Sequence, residues 1–266
     1  MSTLAVIGAG VMGETLIAGL LRAGWEPGRI TAADRHSARL DELRSRHGIN
    51  TAATAEAAAG ADTVVIVVKP QDAAEVLPEV GGAVRPGTLV VSLCAGLSTE
   101  RIEAAMPAGM AVVRVMPNTP AQVDEGMAAI SPGRQATADD LAHVTELLSA
   151  VGKVVTVPEK YQDAVTAISG SGPAYLFFVV EAMIDAGVML GLPRDVSTTL
   201  VVQTMYGSAK LLADSGEHPT VLRERVTSPG GTTAAALREL EDHRVKAAFM
   251  TAMEAARDRS RALASS

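Results

Sequence analysis

The feature that most constrains this chain is a glycine set lodged between two kinds of periodicity. Leu4-Ala5-Val6-Ile7 is apolar at every position, then comes Gly8-Ala9-Gly10-Val11-Met12-Gly13, and a helical stretch over residues 12–23 follows. A strand that is apolar throughout, rather than at alternate positions, belongs in a sheet covered on both faces. Further β-branched runs at 29–33, 63–68, 88–93, 111–115, 127–131 and 153–157 repeat the pattern, with helical segments at 37–47, 71–80 and 99–105 between the earlier ones. Alternation of this kind predicts an α/β fold built on a doubly wound, mostly parallel sheet.

After Pro158 no strand pattern remains. Helical segments are expected at 162–168, 173–190, 193–215, 219–227, 232–241 and 244–264, with Pro173, Pro193 and Pro219 near first-turn positions. The expected organisation is therefore a sheet domain over residues 1–160 and an all-helical domain over 161–266. The stretch 174–190 is apolar round most of its circumference and must be buried nearly on all sides. A helical domain of this size has little core to offer it, so a homodimer through the helical domain is expected.

Composition excludes several classes. With 48% apolar and 20% charged residues among 266, the chain is no disordered segment. A net charge of −7 and only one Trp, three Tyr and three Phe argue against a nucleic-acid binder. No strictly apolar run approaches the roughly 20 residues of a membrane span, and no basic, signal-like start precedes Leu4. One cysteine forbids an intrachain disulfide and points to a reducing, cytoplasmic setting. His36, His47, His143, His218 and His243 lack ligand spacing, so no metal site is expected.

Gly8 permits a tight turn, Gly10 lets a diphosphate approach the backbone, and Gly13 allows close helix–strand packing. A strand before the set, a helix after it, and Asp34 about 20 residues further on make this a Rossmann dinucleotide site. Gly8, Ala9, Gly10, Val11, Met12 and Gly13 are its first expected contacts. The Asp34 carboxylate would accept ribose hydroxyls and favour NADH; Arg35, with His36 and Arg39 nearby, could instead hold the 2′-phosphate of NADPH. Asp34 could equally cap the helix at Ser37, and dual use of NADPH and NADH is expected. Ligands in such sheets lie beyond the carboxyl ends of the strands. Val68, Lys69 and Pro70, then Ala95 and Gly96, then Asn118 are therefore further candidates, although each also suits a plain loop turn. Cys94 lacks a histidine close in sequence and reads as a small apolar filler rather than a nucleophile.

In the helical half, Thr227-Ser228-Pro229-Gly230-Gly231-Thr232-Thr233 runs into a clear helix. Adjacent glycines and hydroxyls ahead of a helix start form a seat for an anion such as a carboxylate. An N-cap would need only Thr232.

Taken together, the glycine set, Val68-Lys69-Pro70-Gln71, Arg114-Val115-Met116-Pro117-Asn118-Thr119-Pro120, Ser169-Gly170-Ser171-Gly172-Pro173-Ala174-Tyr175 and residues 227–233 resemble the pyrroline-5-carboxylate reductases over nearly the whole chain. The resemblance implies hydride transfer from a nicotinamide cofactor to the cyclic imine 1-pyrroline-5-carboxylate, giving L-proline. It implies intertwined dimers that assemble further, up to a decamer of dimers. It also implies a site between one subunit's nucleotide domain and its partner's helical domain. By position, Ser228, Gly230, Gly231, Thr232 and Thr233 would hold the substrate, with the Thr233 hydroxyl facing the ring nitrogen as the catalytic group. Asp34 departs from the neutral residue of many members. A cyclic imine carries its own basic nitrogen, so its reduction needs no strong protein acid, unlike alcohol oxidation, which needs a base. Tyr175 is a rival proton donor but suits packing better. A β-hydroxyacid dehydrogenase should carry a lysine four residues after an asparagine, and no lysine here does. A non-catalytic dinucleotide sensor would leave Gly230 and Gly231 unexplained.

Overall fold

The computed structural model describes residues 2–264. The chain forms two compact units, residues 1–171 with 256–266, and residues 172–255; the change of character read from the sequence fell at 160.

The first unit contains β1 (Leu4–Ile7), α1 (Val11–Arg22), β2 (Ile30–Ala33), α2 (Ser37–His47), β3 (Asn50–Thr51), α3 (Thr54–Gly60), β4 (Thr63–Ile66), α4 (Ala73–Ala83), β5 (Leu89–Ser92), α5 (Thr99–Ala104), β6 (Ala111–Met116), β7 (Gly126–Pro132), α6 (Ala138–Ser149), β8 (Gly152–Thr156) and α7 (Gln162–Val165). One eight-stranded sheet runs in the order β3-β2-β1-β4-β5-β6-β7-β8. Neighbours are parallel from β3 to β6, β7 is antiparallel to β6, and β8 is parallel to β7. The reversal follows from the link after β6, which holds a 3-10 turn at Thr119–Val123 but no crossover helix.

Every residue of β1, β4 and β5 is buried. Successive side chains enter opposite layers, as the pleat requires. Leu4 and Val6 pack with Leu16, Ile17 and Leu20 of α1 and Val144, Leu147 and Leu148 of α6. Ala5 and Ile7 pack with Ala57 and Ala58 of α3, Leu77 and Val80 of α4 and Ile102 of α5. Each fully buried Leu, Ile or Val adds about 1.5–3 kcal/mol to the core. The apolar runs overshoot the strands: Gly8, Val67, Val68 and Leu93 lie in loops at the carboxyl edge.

The second unit comprises α8 (Gly172–Met189), α9 (Arg194–Ser215), α10 (Pro219–Arg225), α11 (Thr232–Asp242) and the start of α12 (Val245–Ala264). Ser197 of α9 donates its hydroxyl to the Ile184 carbonyl of α8 at 2.9 Å, and a Cβ on Gly187 would strike that hydroxyl, so α8 and α9 meet closely there. Much of the rest of α8 is exposed: Phe177 is 68% and Phe178 71% exposed, while Tyr175, Val179 and Val180 are half-buried. The single chain does not bury the helix that its apolarity demands be buried. The helical run Glu159–Met189 also reaches the length and apolarity of a membrane-crossing helix, which the count of strictly apolar residues missed because Glu181 ends the run Tyr175–Val180.

The last turns of α12 return to the first unit. Ser260 donates to Asp163 at 2.7 Å, and Arg101 donates to the Ala264 carbonyl at 3.4 Å.

Candidate functional site

At the end of β1 the chain turns through Gly8, whose φ of +99° disfavours a side chain and whose Cβ would lie 2.6 Å from the Val67 carbonyl oxygen. A Cβ on Gly13 would lie 2.2 Å from the Gly8 carbonyl oxygen, so α1 packs directly on the loop. Gly10 is different, since nothing stands within 4 Å of where its Cβ would be. It caps α1, no side chain covers the helix start, and Val11 is 65% exposed. An open approach to uncapped N–H groups suits a diphosphate, and these residues therefore fit a dinucleotide.

The loop is held by its neighbours. Ala9 is fully buried, its N–H donates to the Asp34 carboxylate at 2.9 Å, and its carbonyl accepts Arg39 Nε at 2.8 Å. The other Asp34 oxygen accepts the His36 N–H at 2.9 Å, one residue before α2, so Asp34 supports that helix start although His36 is its N-cap. Arg39 also pairs with Glu14 of α1, which in turn accepts from Arg46 at 2.5 Å and lies 3.1 Å from the His47 ring nitrogen. Burial alone would raise the Glu14 carboxyl, but its hydrogen bonds to Arg39, His47 and Arg46 prevail and hold it at about 2. This network escaped the sequence reading; the adjacency of Glu14 to Gly13 was its only local signal.

The strand order sets the loops after β2, β1, β4 and β5 side by side, and β1 lies where the order reverses, the usual ligand crevice of such sheets. Arg35 reaches from the β2 exit to Asp72 at 3.2 Å, in the 3-10 turn Pro70–Asp72 that follows Val68 and the exposed Lys69. The buried Cys94 thiol donates to the Val68 carbonyl at 3.2 Å, and burial pushes its pKa up, as suits a packed side chain. Ala95 follows it, and Gly96, with φ of +77°, turns beside the end of α12. At the β6 exit Asn118 is half-buried and bonded on both sides of its amide, to the Ser169 carbonyl and the Met127 N–H. Met12, Leu93, Pro117, Asn118, Met127 and Lys153 line a narrow crevice here.

Sequence reasoning also missed Glu159, whose carboxylate accepts the Thr99 N–H and hydroxyl, each at 2.6 Å, and lies 3.2 Å from the buried Arg114. Burial opposes its charge, yet the bonds from Thr99 and Arg114 keep its pKa low. It ties β6, α5 and the start of the helical run together. Among the described residues, no three His, Cys, Asp or Glu side chains gather as metal ligands would.

In the second unit the Gly231 N–H donates to the Ser228 carbonyl at 3.0 Å, closing a turn through Gly230, whose φ is +67°. Gly231, rather than Thr232, is the N-cap of α11, and no side chain caps that helix. A Cβ on Gly231 would sit 2.5 Å from the Ser228 hydroxyl oxygen, so the glycine makes room for that group. Thr227 is engaged elsewhere, donating to the Arg223 carbonyl at 2.6 Å. Ser228 and Thr232 are exposed, Thr233 is half-buried, and the α11 start offers uncapped N–H groups. The geometry suits a carboxylate. Tyr175 is half-buried on α8.

A Rossmann sheet with an open glycine loop, joined to a helical unit with an uncapped helix start at Gly231, defines a two-domain NAD(P)-dependent oxidoreductase. Residues 159–263 match the family model for pyrroline-5-carboxylate reductase dimerisation, and residues 3–96 match that for coenzyme F420-dependent NADP oxidoreductases. A pyrroline-5-carboxylate reductase of Corynebacterium melassecola is 46% identical over 99% of both chains. The structure of a pyrroline-5-carboxylate reductase from Coxiella burnetii superposes with a TM-score of 0.94 at 34% identity, covering 98% of each chain. That of the Plasmodium falciparum pyrroline carboxylate reductase with NADP bound gives 0.88 at 32%, covering 99% of this chain and 98% of that one. The chain belongs to the pyrroline-5-carboxylate reductase family. Its helical part is a dimerisation domain, which accounts for the bare face of α8.

Proposed function

We propose that the protein reduces 1-pyrroline-5-carboxylate to L-proline with NAD(P)H, as the closing step of proline synthesis. The observation that carries this reading is the Ser228–Thr233 turn, an uncapped helix start flanked by hydroxyls, in a chain of this family. Ser228 and the amides of Gly231, Thr232 and Thr233 hold the substrate carboxylate, with Gly230 in the same substrate-binding turn. The Thr233 hydroxyl hydrogen-bonds the ring nitrogen. When bound, the nicotinamide cofactor supplies a hydride to the C=N carbon, and the nitrogen takes a proton from solvent.

Gly8 to Gly13, with Arg35, Val68, Lys69, Pro70, Ala95 and Gly96, bind the dinucleotide on a loop that Asp34 clamps, and both NADPH and NADH serve. Most of the acceleration then comes from holding the reacting carbons together away from water. No strong protein acid is needed because the imine nitrogen is basic. The working unit is a homodimer through the helical domain, with decamer rings of dimers as the higher form. The reading requires neither nucleic acid nor membrane and goes with a cytoplasmic setting, supported by a single cysteine, the free Cys94.

The purified protein should oxidise NADPH and NADH when given pyrroline-5-carboxylate and should release proline. No turnover with either cofactor would sink the reading.

A further inference from the structure

The π turn Thr166–Gly170, between α7 and α8, gives Asn118 a role. Four residues after Ser169 stands Pro173, which has no N–H, so the ordinary helical bond to the Ser169 carbonyl cannot form. The helix widens at this point, and the Ser171 N–H reaches back to the Thr166 carbonyl at 2.8 Å. Asn118 supplies the missing donor: its Nδ2 donates to the Ser169 carbonyl at 3.2 Å, while its Oδ1 accepts the Met127 N–H at 2.8 Å. Beside it, a Cβ on Gly170 would lie 2.4 Å from Met116 Cε, so Met116 packs directly against the Gly170 backbone. Met116 and Asn118 thus both grip the turn from which α8 departs.

We infer that Asn118 is a positioning residue for the reductase reaction rather than a cofactor ligand. It locks the loop after β6, one wall of the crevice beside the α1 start, in register with the π turn. The inference rests on the proposed reduction. A wall displaced by about 1 Å misaligns hydride transfer and can cost on the order of 100-fold in rate. The glycine loop that receives the diphosphate is held by Asp34, Arg39 and the α1 start, not by the hydrogen bonds of Asn118.

The test compares Asn118→Asp and Asn118→Ala. Aspartate keeps the acceptor for Met127 and removes the donor to Ser169. Both should lower kcat by at least about tenfold, leave the Kd for NADPH, titrated without substrate, within about twofold, and speed amide exchange at Gly170 and Ser171 by about tenfold or more. Pro173→Ala returns an N–H to the helix, so Asn118→Ala should cost less in that background. Unchanged kcat in Asn118→Asp, unchanged exchange, an equal loss with and without Pro173, or a tenfold weaker NADPH Kd at normal kcat would each overturn the inference. If the unmutated protein gave no turnover, the reduction itself would fall, while exchange and NADPH binding would still decide the role of Asn118.

Discussion

The Asp34 carboxylate accepts the backbone N–H of Ala9 at 2.9 Å, fastening the end of β2 to the glycine loop that follows β1. Its other oxygen accepts the His36 N–H, and Arg39 grips the Ala9 carbonyl from the opposite side. An acidic residue at this place ordinarily reads the ribose hydroxyls of NAD. Here both oxygens already meet backbone donors, so the carboxylate is first a clamp on the loop.

Asp34→Ser should therefore weaken NADPH and NADH together, each by about three- to tenfold, the loss of one or two charge-assisted bonds after partial relaxation. Their ratio should move less than about threefold. Titrating both cofactors checks this, and a ratio shifted tenfold toward NADPH would mean that Asp34 reads the ribose after all.

Glu14 predicts an acid limit to stability. Its carboxyl sits at about 2 in the fold against 4.5 unpaired, so the unfolded chain binds its proton first as pH falls. The stabilisation is fully present above 4.5 and is lost progressively between 4.5 and about 2. The shift caps it at about 3 kcal/mol, and screening by solvent brings it to roughly 1–2 kcal/mol. Urea unfolding across that range should show the loss in the parent protein and a flatter profile in Glu14→Gln. Parallel profiles would remove Glu14 from the acid response.

Much of this architecture could be read from residue order, for identifiable reasons. α2 was located to the residue because Gly48, in the left-handed region at φ +68°, stops it sharply. β1, β4 and β5 announce themselves because burial on both faces leaves them apolar throughout. α3, with sequence Thr-Ala-Glu-Ala-Ala-Ala-Gly, was missed because alanine gives no periodicity to read, and β3 because a two-residue edge strand carries no pattern. α6 had a signal that went unused, the capping box of Thr137 and Asp140. Residues 169–172 read as a break because glycine and proline usually end helices, whereas the π turn carries the helix through them. Of the candidate site, the glycine loop and the Ser228–Thr233 turn stand out in the sequence because their backbone pattern is local. The Asp34, Glu14 and Asn118 contacts span long sequence separations, and no spacing rule encodes them.

The exposed aromatic pair of α8 predicts where association fails. Burying each Phe in a dimer stabilises it by about 1.5–3 kcal/mol, and a charge there would instead face desolvation. Phe177→Glu combined with Phe178→Glu should turn the assembly into monomers by light scattering, with the Rossmann unit still binding NADPH. An unaltered mass would move the interface to another face.

Thr233 and Ser228 should separate chemistry from binding. Both stand at the α11 start, but Ser228 has its hydroxyl packed over Gly231, beside the amides expected to hold the carboxylate. Ser228→Ala should raise KM for pyrroline-5-carboxylate by about tenfold, the value of one charge-assisted hydrogen bond, with kcat little changed. Thr233→Ala removes the hydroxyl assigned to the ring nitrogen, where charge changes as hydride arrives. It should lower kcat by about 10- to 100-fold with KM for the cofactor unchanged, and Thr233→Ser should restore most of the loss. Steady-state kinetics with each substrate varied in turn distinguishes the two patterns. If Thr233→Ala altered KM alone, the hydroxyl would belong to the carboxylate seat, and the proton would be handled by solvent without it.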